Sequence, residues 1–310
     1  MPDIVVTEFM DEAALDILRV DYDVVYDPTL VDKPDALAAL LPGVRGLIVR
    51  NRTQVRGAVL EAGTALQVVG RLGVGLDNID VDACRARDVA VCPATGANDV
   101  SVAEYVVCGV MMMLRGAYFA TAEVAAGAWP RTRLMGREVM GATLGLVGFG
   151  SIARETARRA RALGMEIIAY DPFLPDDHPA FAAHEARPVS LEALLAGADA
   201  VSLHVPLTDA TRGLIGTDAL ARMKSDAVLV NAARGGVVDE AALAEALKAG
   251  KIGGAMLDVF DREPLPGGGP LVDVPNLILT PHIAGVTVES NVRVSGVTAQ
   301  AVARVLKERA

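Results

Sequence analysis

Leu144-Gly145-Leu146-Val147-Gly148-Phe149-Gly150-Ser151-Ile152-Ala153 is followed, one helical stretch later, by Tyr170-Asp171. The apolar run before Gly148 reads as a buried strand, and the stretch from Ser151 to Leu163 reads as a helix. The G-x-G-x-x-A turn between them lets a pyrophosphate approach the backbone and rest on the helix N-terminus. Gly148 permits the tight turn, Gly150 keeps a side chain out of the phosphate's path, and Ala153 stands where a third glycine would only set helix–strand packing. Asp171 ends the next apolar run, where an acid receives a ribose 2′-hydroxyl and repels a 2′-phosphate. The pattern predicts a dinucleotide site, with NAD as the cofactor.

The chain has 310 residues, enough for about two domains. It is 52% hydrophobic but only 4% aromatic, an Ala-, Val- and Leu-rich mix that suits parallel strands buried under helices. A net charge of -10 argues against nucleic acid or an anionic membrane as partner. Cys84, Cys92 and Cys108 form no C-x-x-C pair; they read as small core residues in a reducing cytoplasm. Early acids (Asp3, Glu8, Asp11, Glu12) exclude a signal peptide, and the apolar run from Val106 to Leu114 is too short for a bilayer. The expected location is therefore cytoplasmic.

Short apolar runs alternate with helical stretches throughout, which predicts an α/β fold with parallel strands. Strands are expected at residues 4–7, 23–26, 46–49, 67–69 and 89–92, forming a compact flavodoxin-like sheet. A long helix is expected over 100–126, ended by Gly127-Ala128-Trp129-Pro130. The nucleotide strand then begins near Thr143, with further strands at 166–170, 200–203, 227–231, 253–257 and 277–279. Asp239 and Gly250 delimit a helix over 240–248, and a terminal helix covers 290–309. The segment 172–188 reads as an irregular loop, with His178 and His184 solvated in it. A nucleotide fold that begins in mid-chain leaves a second lobe before it, and the cleft between lobes is the expected active site.

Three late strand ends carry chemistry-bearing residues: Asn231-Ala232-Ala233-Arg234, Asp258-Val259-Phe260-Asp261-Arg262-Glu263-Pro264 and Thr280-Pro281-His282. Ligands of open α/β sheets bind beyond the carboxyl ends of the strands. There, Arg234 can grip a carboxylate in a bidentate fork. His282 can exchange a proton with a hydroxyl, and Glu263 can hold the other imidazole nitrogen. No metal is required by such a trio.

With these motifs in place, the chain resembles the D-isomer-specific 2-hydroxyacid dehydrogenases over essentially its whole length. The resemblance includes Gly70-Arg71-Leu72-Gly73-Val74-Gly75-Leu76-Asp77-Asn78-Ile79-Asp80, Ser101-Val102-Ala103-Glu104 and His204-Val205-Pro206-Leu207-Thr208. It implies a two-lobed α/β protein: a Rossmann NAD-binding domain over 99–285, inserted in a flavodoxin-like substrate domain over 1–98 and 286–310. It assigns the catalytic Arg, Glu and His to Arg234, Glu263 and His282. The N–H groups of Val74 and Gly75 are expected to receive the substrate carboxylate, with Asn98 near the nicotinamide. Ile152 is expected by the pyrophosphate, Val205 and Pro206 by the adenosine half, and Asp258 by the nicotinamide. Ser151, Tyr170, His204, Ala232 and Gly285 complete the expected cofactor contacts. The implied reaction is reversible hydride transfer between NAD and carbon 2 of a small 2-hydroxy acid.

The loop Val49-Arg50-Asn51-Arg52-Thr53-Gln54 looks like the phosphoglycerate dehydrogenase version, and the N-terminal run through it is similar to sulfolactate dehydrogenases. Arg50 and Arg52 suit a second anionic group on the substrate. A broad glyoxylate or hydroxypyruvate reductase is the alternative within the class, and an NAD(H)-sensing corepressor-like protein the alternative outside it. Glu263 argues against a formate dehydrogenase, which carries Gln there. The segment from Val100 to Arg137 lies where the family forms its dimer arm, so a homodimer is expected. Arg131 and Arg133 are candidates to serve the partner's site, and Arg154, Arg158, Arg159 and Arg161 read as a solvated helix face.

Overall fold

The computed structural model describes residues 1–309. The chain divides into two compact units: Met1–Asn98 with the segment from Val286 onward, and Asp99–Gly285.

The first unit is built on β1 (Ile4–Val6), β2 (Val24–Tyr26), β3 (Gly46–Val49), β4 (Val68–Arg71) and β5 (Ala90–Pro93). These strands form one parallel sheet in the order β2-β1-β3-β4-β5, the flavodoxin-like order. The terminal helix Val288–Glu308 returns to cover one face, where Val294, Ala299, Val302 and Leu306 meet Ile4, Val6, Ile48 and Val68. Its start is written in the sequence. Thr287 accepts from the Ser290 N–H, and the Ser290 hydroxyl accepts from the Thr287 N–H, a reciprocal capping box.

The second unit holds β6 (Thr143–Val147), β7 (Glu166–Tyr170), β8 (Ala186–Pro188), β9 (Ala200–Leu203), β10 (Val228–Asn231), β11 (Gly254–Leu257) and β12 (Leu277–Leu279). Their order is β12-β11-β10-β9-β6-β7-β8, all parallel. This is the doubly wound dinucleotide-binding arrangement with one strand added. The order reverses between β6 and β9, so the crevice at their carboxyl ends is the natural ligand position.

Several sequence expectations shift. The helix expected over 100–126 runs only over Asp99–Arg115 and breaks at Gly116 into the short turns Ala117–Ala120 and Thr121–Ala125. The segment 172–188 is not all loop: it contains the helix Pro179–Ala183 and the edge strand β8. His178 is not simply solvated, since its Nδ1 accepts from the Ala180 N–H and caps that helix. His184 packs edge-on against Phe149, with ring centroids 6.0 Å apart. Cys84 is buried as expected, but Cys108 is exposed. Arg154 is not purely solvated either: its Nε donates to Phe149 O at 2.9 Å, clamping the glycine turn.

Among the described residues, no single helix is long and apolar enough to cross a membrane.

Asp199 anchors the lower edge of the second sheet. Its nearly buried carboxylate accepts from the Thr143 N–H (2.8 Å), Lys224 Nζ (3.0 Å) and the Arg137 guanidinium (2.9 Å). Burial works to raise its pKa; the Thr143 N–H and the two cations outweigh burial and hold it below the usual value. A depressed folded pKa contributes stability that is present above about pH 3.9 and is lost as pH falls through the folded value. Asp199→Asn is therefore expected to lower stability at pH 7 by about 1–3 kcal/mol. It should also flatten the acid limb of a stability-versus-pH curve from denaturant titrations; an unchanged limb would remove Asp199 from this role.

Candidate active site

The glycine turn closes where β6 ends. Gly148 has φ +89°, and a Cβ there would lie 2.6 Å from the His204 carbonyl oxygen, so only glycine fits. Gly150 faces open space, which a Cβ would begin to fill. It is also the N-cap of the helix Ser151–Ala162 and supplies no side-chain cap to the first N–H groups. Those donors and the positive helix end make a cradle for a pyrophosphate. Ser151 is exposed and Ile152 half-buried on the first turn of that helix.

Asp171 stands just after β7. Its carboxylate accepts from the Phe149 N–H (2.9 Å) and the Phe173 N–H (3.0 Å), tying the acid to the glycine turn itself. Beside it opens a pocket of about 340 Å³ lined by Tyr170, Asp171, Pro172, Leu174, Asp176 and Val189, among others. Two carboxylates there favour a ribose hydroxyl over a phosphate. His204 follows β9, its Nε2 3.0 Å from the Ser202 hydroxyl. Burial pushes its imidazole down to about 4, so it stays neutral at pH 7. Val205 and Pro206 continue outward from it, half-buried and exposed. Cradle, acid and pocket together fit a dinucleotide.

The proton-handling group lies on the same unit. His282 Nδ1 is 2.6 Å from Glu263 Oε2, while Glu263 Oε1 accepts from the Phe260 N–H at 3.1 Å. Burial works to raise the Glu263 pKa; the His282 ring, the Phe260 N–H and the Arg234 charge outweigh it, and the carboxyl is held low. An ionised carboxylate only accepts, so Nδ1 carries the hydrogen and Nε2 is left as the exchangeable position. Arg234 reaches this group from β10. The Asn231 amide shapes its turn, accepting from Ala233 N at 3.0 Å and donating to Arg234 O at 3.0 Å. Gly235 lets this loop meet the next one: a Cβ there would lie 1.8 Å from Phe260 O. Ala232 lies half-buried within the same turn.

Backbone strain marks His282. It sits at φ +54°, uncommon for a residue with a side chain. Asp258 holds it there. The Asp258 carbonyl accepts from His282 N (2.8 Å), Oδ1 from Ile283 N (2.8 Å) and the Thr280 hydroxyl (2.6 Å), and Oδ2 from Ala284 N (2.8 Å). Tyr105 lies 2.5 Å from the Thr280 hydroxyl, its phenol pushed up to about 12, chiefly by burial. Expected as a cofactor contact, Asp258 is 1% exposed and turned inward onto the His282 loop, which ends at half-buried Gly285. The sequence motifs include Asn231 and Thr280 but assign them no role, and they do not include Tyr105. An Asn two residues before a tight-turn N–H is the one signal that could have flagged Asn231.

The remaining expected residues belong to the first unit. Val74 and Gly75 lie half-buried in the loop directly after β4. Asn98 Oδ1 is buried without a hydrogen bond, an unmet acceptor that a ligand N–H can satisfy. Arg50 and Arg52 follow β3 and differ in their partners. The Arg50 guanidinium donates to Asn291 Oδ1 (2.7 Å) and Phe9 O (3.4 Å), both neutral. Arg52 is ion-paired with Asp32 on the surface.

With this geometry in hand, comparison with known proteins is specific. Residues 107–284 match the family described as D-isomer specific 2-hydroxyacid dehydrogenase, NAD binding domain. The chain is 57% identical to an (S)-sulfolactate dehydrogenase of Chromohalobacter salexigens over 310 residues, the full length of both. It is 37% identical over 304 residues to a D-3-phosphoglycerate dehydrogenase of Archaeoglobus fulgidus, spanning 57% of that longer protein. A solved structure from Thermus thermophilus superposes with a TM-score of 0.88 at 35% identity, covering 98% of this chain and 97% of that one.

Asp171→Ala is expected to weaken NAD binding and relax discrimination against NADP, measured as the ratio of kcat/KM for the two cofactors. An unchanged ratio would exclude Asp171 as the ribose acceptor.

Proposed function

The chain belongs to the D-isomer specific 2-hydroxyacid dehydrogenase family, as an NAD-dependent enzyme, and we propose that its substrate is a 2-hydroxy acid bearing a second, sulfonate-type anion. The observation that carries this reading is Arg50. Its charge is half-buried on neutral acceptors, while Arg52 is already paired with Asp32. The Arg50 guanidinium hydrogen-bonds no carboxylate, although the Glu8 charge lies near enough to act on it, so its remaining N–H groups can still meet a ligand anion. The likeness to a sulfolactate dehydrogenase over the full length of both chains supports sulfonate over phosphate. The chirality is consistent with the family. In sulfolactate the sulfur-bearing carbon outranks the carboxylate in the naming rules, so the S descriptor denotes the D arrangement.

The proposed division of labour follows from the site. Arg234 grips the substrate carboxylate, and His282 Nε2 takes the hydroxyl proton during oxidation and returns it during reduction. Glu263 fixes the ring and stabilises the imidazolium that forms. The nicotinamide, when bound, supplies the hydride acceptor or donor for carbon 2. Gly148, Gly150, Ser151, Ile152 and Asp171 would hold the dinucleotide, and Val74, Gly75 and Asn98 the substrate end. The working form is a homodimer built through the 100–137 segment, where Tyr118, Phe119, Trp129 and Met135 are exposed. Three free cysteines support a reducing, cytoplasmic location.

NADH oxidation with pyruvate, glyoxylate, hydroxypyruvate, oxaloacetate, phosphohydroxypyruvate and sulfopyruvate tests the substrate. Sulfopyruvate is expected to give the highest kcat/KM; equal turnover of glyoxylate would replace the reading with that of a broad reductase. His282→Ala should lower kcat roughly 10²–10⁴-fold while NADH binding persists. Near-normal turnover in that variant would sink the proton-transfer assignment.

A further inference from the structure

Glu8 is a buried acid that the chemistry above does not use. It lies just beyond β1, 6% exposed, and although its charge acts on Arg50, its hydrogen bonds to the loop it faces go to backbone N–H groups and to no guanidinium. Its carboxylate accepts three backbone N–H groups of the arginine loop: Arg50 at 2.9 Å, Arg52 at 3.2 Å and Thr53 at 3.0 Å. Asn78, also buried, donates from the other side to Arg50 O (3.3 Å) and Thr53 O (2.6 Å). The Thr7 and Thr53 hydroxyls lie 2.8 Å apart. The residue after Glu8 holds the other end of Arg50, because Phe9 O accepts from its guanidinium. The loop's backbone is thus fixed from β1 on one side and from the loop after β4 on the other.

We infer that Glu8 is a positioning residue for selectivity: its carboxylate fixes the Arg50–Thr53 loop so that Arg50 meets the substrate's second anion. This rests on the two-anion reading of Arg50. Charge alone argues the opposite way. A negative group near Arg50 weakens the field that an incoming anion feels, so neutralising it would strengthen anion binding. Geometry predicts weakening. A Gln at position 8 keeps one acceptor oxygen but turns an NH₂ toward one of the loop's N–H groups, donor against donor. The loop loses an anchor, and Arg50 loses its fixed origin.

The experiment compares Glu8→Gln and Glu8→Asp with the unaltered enzyme on sulfopyruvate and pyruvate, which differ only by the sulfonate. With Glu8→Gln, kcat/KM for sulfopyruvate should fall about tenfold or more, through KM, while kcat/KM for pyruvate stays within about twofold. Glu8→Asp keeps the charge but withdraws the carboxylate by one methylene, and should show the same substrate-selective loss. It also serves if the Gln variant fails to fold. Equal losses on both substrates, or tighter sulfopyruvate binding by Glu8→Gln, overturn the inference alone. An unaltered enzyme that does not favour sulfopyruvate over pyruvate overturns the two-anion reading and the inference with it.

Discussion

One buried carboxylate, Asp258, governs the geometry on which the proposed proton transfer depends. The chain must place His282 in a left-handed conformation, a strained state for a residue with a side chain, costing on the order of 1–3 kcal/mol. Such a state persists only where its surroundings over-determine it. Asp258 does so by accepting N–H groups from three consecutive residues, His282 at its carbonyl and Ile283 and Ala284 at its carboxylate. The turn directs the imidazole to Glu263, and Glu263, held ionised, leaves Nε2 as the site of exchange. Strain at the backbone is thus converted into a defined tautomer at the ring.

The second unit's parallel sheet explains why so few residues suffice. Every strand runs the same way, so β6, β7, β10, β11 and β12 deliver the glycine turn, Asp171, Arg234, Asp258 and His282 to one edge. Each functional group lies within a few residues of a strand end. The loops are then braced by their own side chains: Asn231 under Arg234, Arg154 on the glycine turn, Tyr105 and Thr280 behind Asp258. Bracing of this kind is what keeps a reactive group within tenths of an ångström of its working position.

What could be read in advance follows from the range of the interactions. The glycine turn, the acid after the next strand and the capped helix Glu240–Lys248 are local patterns, and they stand where the sequence put them. The two-lobed α/β architecture followed from the mid-chain start of the nucleotide fold and the family motifs, while the strand order itself came from the structure. The edge strand β8 escaped because Ala186-Arg187-Pro188 is short and contains a proline, tolerable only at an edge. The break at Gly116 escaped because the apolar pattern runs through it. Asp258 and Glu8 were seen as residues but not as anchors. Their partners lie 22 to 45 positions away, and no spacing rule connects an acid to N–H groups that only the fold brings near.

On the proposed reading, the two units divide chemistry from selectivity. The second contains the Arg234, Glu263 and His282 group and the glycine-turn cradle. The first contains the arginine loop, whose backbone hangs on Glu8 and Asn78 and whose charge rests on Asn291. A chain of net charge -10 repels dianions at a distance, so binding of the proposed two-anion substrate would require a cation at short range. The Arg50 guanidinium hydrogen-bonds only neutral groups, with Glu8 the nearby charge, whereas Arg52 is ion-paired with Asp32 on the surface.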